Sequence, residues 1–115
     1  MLNDLSIYIP AYNAEKTIRQ CLDSILNQTI KASKILVLND CYTDKTKDIL
    51  LEYNQSIEII SNKKNMGVTY SRNLALQNLK SKLIATIDAD VVLSEEWLEQ
   101  VFSSLKKNNA TIVGG

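Results

Sequence analysis

Apolar positions along this chain alternate between two rhythms. Short, nearly uninterrupted apolar runs of strand length are followed by longer segments whose apolar residues recur every three to four positions. Leu5 to Pro10 predicts a first strand. Ile18, Cys21, Leu22, Ile25 and Leu26 form a stripe that predicts a helix from Ala14 to Gln28, with Asn13 as its N-cap. Lys34 to Asn39 predicts a second strand, and Asp44 to Tyr53 a second helix with Ile49, Leu50 and Tyr53 facing inward. Ile57 to Ser61 predicts a third strand, and a third helix follows Gly67 and ends near Leu79. Leu83 to Asp88 predicts a fourth strand. Ser94 caps a fourth helix whose stripe is Leu98, Val101, Phe102 and Leu105, and a short strand, Thr111 to Val113, comes last.

Strands that are apolar on both faces need cover on both faces. The expected fold is therefore α/β, a three-layer arrangement with a mostly parallel sheet between helices. With 115 residues, one domain spanning 1–115 is expected. In such sheets the strands' C-terminal ends lie along one edge, and ligands bind there. The residues to read for chemistry are those just after each strand. Ala11, Tyr12 and Asn13 follow the first, Asn39 and Asp40 the second, Asn62 to Gly67 the third, and Asp88, Ala89 and Asp90 the fourth.

Composition narrows the chemistry. Thirteen basic residues balance thirteen acidic ones, so no electrostatic footprint for nucleic acid or an anionic membrane is present. No apolar run approaches membrane-spanning length, and the N-terminus has no signal-peptide pattern. Two cysteines without metal spacing fit a reduced, cytoplasmic setting. Histidine is absent, so acid–base or metal chemistry rests mainly on carboxylates. Neither Gly-x-Gly-x-x-Gly nor a Gly-Lys-Ser/Thr loop occurs. Asp88 and Asp90 repel a diphosphate unless a divalent cation lies between, and hard oxygen ligands suit Mg2+ or Mn2+. Alone, an Asp-x-Asp is as readily a turn.

Taken together, the segments resemble a family 2 glycosyltransferase over nearly the whole chain. Ile7 to Asn13 is similar to the family's opening strand and Pro-x-Tyr-Asn turn. Leu22 to Thr29, LDSILNQT, resembles its first helix and Gln-Thr ending. Val37 to Thr46 is similar to its Val-Asp-Asp-Gly-Ser-x-Asp-x-Thr segment. Asn65-Met66-Gly67, Ser71-Arg72-Asn73, Asp88-Ala89-Asp90 and Trp97-Leu98 resemble further elements in the same order.

The resemblance implies a GT-A-type fold and metal-dependent, inverting glycosyl transfer. The donor is a nucleotide-diphosphate sugar, with UDP as the family-level expectation, and the acceptor a hydroxyl of a saccharide or lipid-linked molecule. It implies Asp90 as metal ligand, with Asp88 on the donor ribose or ordering the metal site beside Ala89. Asp40 accepts a hydrogen bond from the base, and Pro10, Ala11, Tyr12 and Asn13 line the nucleoside pocket with Asn39. Asn65, Gly67 and Arg72 shape its wall, Arg72 with an approach to the phosphates. Asn39, Cys41 and Tyr42 depart from the family's Asp-Gly-Ser pattern, which leaves base identity open.

The family's acceptor half and catalytic base follow the Asp-x-Asp region. The chain is therefore expected to be a truncated donor-binding part, with its base beyond residue 115, inactive in transfer by itself. A peripheral position at the cytoplasmic membrane face and self-association through an exposed sheet edge are compatible with this reading. Plainer roles stand beside these. Asp44 reads as a helix-start charge, Trp97 as packing, Cys21 as core, and Cys41 as no nucleophile. Three alternatives remain: a non-catalytic binding module, a haloacid-dehalogenase-type phosphatase and a signalling receiver. The phosphatase motif belongs after the first strand of its fold. The receiver clusters acids after strands one and three, where this chain has Tyr12-Asn13 and Asn62.

Overall fold

In the run from Leu5 to Ala11, alternate residues face opposite sides of a sheet, and both sides are apolar. This segment lies within β1 (Leu2–Ala11) of the computed structural model, which describes residues 2–39, 45–61, 70, 73, 77, 79 and 83–108. Then come α1 (Ile18–Leu26), β2 (Ala32–Asn39), α2 (Thr46–Leu51), β3 (Glu58–Ser61), β4 (Leu83–Thr86) and α3 (Trp97–Asn108). The sheet order is β3-β2-β1-β4, and all three pairings are parallel.

On one face Leu5, Ile7, Ile9 and Ala11 of β1 join Ile35 and Val37 of β2. Ile18, Cys21, Leu22 and Ile25 of α1 cover them, together with Leu50 of α2 and Leu98 of α3. On the other face Tyr8, Leu36 and Leu38 pack with Leu79. Tyr70, Asn73 and Gln77 are helical and exposed, at the spacing of one outward stripe. Full burial of each aliphatic side chain contributes about 1.5–3 kcal/mol. The four buried residues of α1 therefore outweigh its exposed Arg19–Glu52 bridge to the turn after α2, whose charges remain in water.

Several boundaries differ from the sequence expectation, each for a local reason. β1 begins at Leu2 and α1 at Ile18 rather than Ala14. Asn13 has φ 47°, in the left-handed region, whereas an N-cap residue is extended. Asn13 is thus the turn residue, and the N–H groups of Thr17 and Ile18 converge on the Ala14 carbonyl at 3.1 and 2.9 Å. α2 stops at Leu51, leaving Tyr53 in the turns beyond, where it still packs on the core. β4 stops at Thr86, although the Ile87 N–H donates to the Tyr8 carbonyl at 2.9 Å. Ser94, expected to cap the last helix through its side chain, instead offers its backbone carbonyl to the Trp97 N–H at 3.1 Å. The side-chain acceptor at that helix start is Gln28 Oε1, 2.9 Å from the Leu98 nitrogen. Asp44 and the strand expected at 111–113 lie outside the described residues.

Candidate functional site

The chain passes from β1 to β2 to β3 in one direction and then returns to place β4 on the other side of β1. That reversal is a topological switch point, where open parallel sheets leave a crevice beyond the strand ends. A cleft of about 330 Å³ lies there. The β1–α1 turn lines it with Pro10, Tyr12, Asn13 and Ala14, joined by Thr17; the segment after β4 contributes Ala89 and Asp90.

The near wall follows from local constraints. Ala11 is buried in the core, which fixes the end of β1. The left-handed Asn13 then reverses the chain, a conformation Asn tolerates better than most residues. The Ala14 N–H donates to Thr46 Oγ1 at 2.8 Å, so the fully buried first residue of α2 pins the turn from behind. Between these two anchors Tyr12 stands 54 % exposed, an aromatic surface open to the cleft.

The far wall is set by Ala89, which packs into the core while its neighbours Asp88 and Asp90 are exposed. A small apolar residue between two carboxylates anchors the turn inward and turns both acids outward. The Val91 N–H closes the turn on the Asp88 carbonyl at 3.1 Å. Neither carboxylate has a hydrogen-bonding or ion-pairing partner among the described residues. Beneath them Cys21 donates its thiol to the Asp88 carbonyl at 3.6 Å. Burial, then the charges of Asp90 and Asp88, push the Cys21 thiol up to about 11. It stays protonated at neutral pH and is core, as its place in the helix stripe implied.

Two exposed carboxylates with unengaged oxygens fit a divalent cation held by one or two protein carboxylates and completed by substrate phosphate and water. Groups of three or more acidic, Cys or His residues suited to a metal are absent among the described residues. The donor set matches a cation that needs its substrate to complete its coordination.

Asn39 is paired in register with Ala11 at the same sheet edge and fully buried. Its amide nitrogen and oxygen have no hydrogen-bond partner among the described residues. Such an orphaned pair costs about 1–3 kcal/mol per group unless a ligand or water engages it. Asp40, Asn65, Gly67 and Arg72 lie outside the described residues. Pro10, Tyr12, Asn13, Ala89 and Asp90 thus line the cleft together, while Ala11 and Asn39 are buried at the ends of β1 and β2 and Asp88 follows β4. Trp97 packs against the core, as expected.

The sequence reading missed what Thr46 and Gln28 do here. Gln28 is 1 % exposed. Its Nε2 donates to the Ser94 carbonyl at 2.6 Å and the Ser24 carbonyl at 3.1 Å. A glutamine closing an apolar helical stripe was the available signal.

Comparison with known proteins agrees with this geometry. An uncharacterized glycosyltransferase of Haemophilus influenzae is 39 % identical over 108 residues, covering 91 % of this chain and 33 % of the relative. The UDP-Glc:alpha-D-GlcNAc-diphosphoundecaprenol beta-1,3-glucosyltransferase of Escherichia coli is 35 % identical over 112 residues, covering 96 % of this chain and 44 % of the relative. A mannosyltransferase of Pyrobaculum calidifontis, solved with GDP-Man and Mn2+, superposes with a TM-score of 0.82 at 18 % identity. That match covers 91 % of this chain and 33 % of the other, and it places the architecture in the GT-A type. The chain spans less than half the length of these curated relatives. The sequence model of glycosyl transferase family 2 matches residues 6–115, and the chain belongs to that family.

Proposed function

We propose that this chain supplies the donor- and metal-binding part of an enzyme that moves a glycosyl group from a nucleotide-diphosphate sugar to an acceptor hydroxyl, with inversion. One observation carries the reading. Asp88 and Asp90 stand exposed on a core-anchored turn at the β1/β4 switch point, and Asp90 lines a cleft that Tyr12 lines too. The Escherichia coli relative named for UDP-Glc and the fold relative solved with GDP-Man and Mn2+ support a nucleotide-sugar donor and a divalent ion.

In this reading Tyr12 stacks on the nucleoside, and Pro10 and Ala11 shape the floor. Asn39 offers one donor and one acceptor to the ligand or to a water beside it. Asp90 holds the ion, with Asp88 beside it. Mn2+ or Mg2+, once bound, neutralises the diphosphate as it becomes the leaving group. The reading assigns the catalytic base to none of the described residues, and it leaves the acceptor, a saccharide or lipid-linked hydroxyl, to the rest of the enzyme.

Calorimetric titration of UDP in the presence of Mn2+ or of chelator tests this. Binding is expected to require Mn2+ and to weaken on the order of 100-fold, about 2.8 kcal/mol, in Asp90→Ala. Binding indifferent to both chelator and Asp90→Ala overturns the metal assignment.

A further inference from the structure

From residue 87 to 96 the chain has neither helix nor strand, yet this stretch carries Asp88 and Asp90. A segment without a backbone ladder takes its position from whatever else bonds it. Here the partner is the C-terminal half of α1 and the three residues that follow it. Ser24 Oγ accepts the Leu93 N–H at 3.1 Å and donates to the Cys21 carbonyl at 2.7 Å. Gln28 Nε2 donates to the Ser94 carbonyl, and Gln28 Oε1 accepts from the Leu98 N–H. Thr29 adds its N–H to the Glu95 carbonyl at 2.9 Å, and its hydroxyl to Glu99 at 3.0 Å. Residues 93, 94, 95, 98 and 99 are thus tied to Ser24, Gln28 and Thr29 at one helix end.

Gln28 is the centre of this arrangement, and its chemistry is selective. Holding a carbonyl and an N–H of the same segment at once needs a donor and an acceptor on one planar group, which a primary amide provides. A carboxylate lacks the donor, and an apolar side chain of equal size lacks both. The amide is buried, so water does not substitute for it readily.

We infer that Gln28, with Ser24, is a positioning residue for the Asp88–Asp90 turn: it fixes the downstream segment so that the two carboxylates keep the mutual placement that ion binding needs. Neither residue touches the cleft. Their influence passes through residues 91–94 to the turn, as the outer partners of metal ligands act through the ligands. This inference rests on the proposed metal role of Asp90, so its test has one readout that does not involve the metal.

The variant is Gln28→Met, which keeps volume and removes both hydrogen-bonding functions. The metal-free readout is amide hydrogen exchange at Val91, whose N–H closes the Asp88 turn and bonds no Gln28 atom. Exchange at Val91 should accelerate at least about tenfold more than at Ile9 and Val37 in the central strands, whose amides follow the global stability. The second readout is Mn2+-dependent UDP binding, expected to weaken roughly 10- to 100-fold, with binding in chelator unchanged. If Gln28→Met does not fold, Ser24→Ala, which removes the Leu93 tether and the local bond to the Cys21 carbonyl but leaves Gln28 in place, should give the same selective pattern in smaller measure.

Unchanged exchange at Val91 overturns the inference. So does equal acceleration at Val91, Ile9 and Val37, which marks a purely global loss of stability. Selective acceleration with unchanged Mn2+ affinity overturns the link to the ion. Wild-type binding indifferent to Mn2+ refutes the metal reading and that link together, while Val91 still decides whether Gln28 holds the turn.

Discussion

The two ends of α1 are built in contrasting ways, and only the first lies at the strand-end rim, because the helix runs back between two parallel strands. At the front, the helix begins behind a left-handed Asn13 and an exposed Tyr12, and Thr17 makes no side-chain cap. At the back, both polar atoms of buried Gln28 are bonded, and the chain beyond is tied to the start of α3. The front opens onto the cleft and leaves the Tyr12 ring exposed there. The back holds the irregular segment that carries Asp88 and Asp90. One helix thus presents a binding surface at one end and fixes the opposite wall from the other.

Breaking the back should cost most. Gln28→Met leaves the Leu98 N–H and the Ser24 carbonyl without this partner, and stability should fall by about 2–3 kcal/mol. Equilibrium urea unfolding measures this, and a loss near zero would mean that the clamp is decorative. Thr46→Val tests the front's hidden anchor. The Ala14 N–H loses its acceptor, so a loss of about 1–2 kcal/mol is expected in the same assay. Weaker nucleotide binding should accompany it, because the turn carrying Tyr12 is then less fixed.

The turn itself gives a smaller effect. Asn13→Ala should cost about 1 kcal/mol through its left-handed backbone, and Asn13→Gly should be close to neutral. Equal effects of the two substitutions would show that the Asn13 side chain, not its φ, matters. The smallest effect belongs to the exposed bidentate bridge from Arg19 to Glu52, with both bonds at 2.9 Å. Hydrogen bonding from Arg19 holds the Glu52 carboxyl below its ordinary 4.5. A carboxyl lowered in the folded state stabilises above its unfolded pKa, and that contribution fades as pH falls through the lowered value. Arg19→Ala should therefore lower the urea midpoint only slightly at neutral pH. The difference from wild type should vanish in high salt and well below pH 4.5.

Much of this was legible beforehand. β1 and β2 are buried on both faces, so Leu5 to Ala11 and Ile35 to Asn39 read as apolar runs. Asp88-Ala89-Asp90 and Tyr12 stood out because polar residues directly after such runs must lie at the sheet's end. Helix starts were less legible. Asn13 is a common capping residue, and sequence does not distinguish a cap from a left-handed turn one step earlier. Gln28 could be seen as the end of a stripe and of a Gln-Thr motif, but its bonds could not, because its Leu98 partner lies 70 residues away.

By itself, the sequence determined the layered parallel architecture, the rim along which its acids and amides gather, and the kinship that its ordered motifs display. These follow from apolar periodicity and local spacing, which each segment carries within itself. Only the tertiary structure decided that β4 returns beside β1, that Thr46 pins the Tyr12 turn, and that Gln28 holds the carboxylate-bearing segment. Those outcomes depend on hydrogen bonds between groups distant in the chain, and such bonds leave no periodic trace in either partner's neighbourhood.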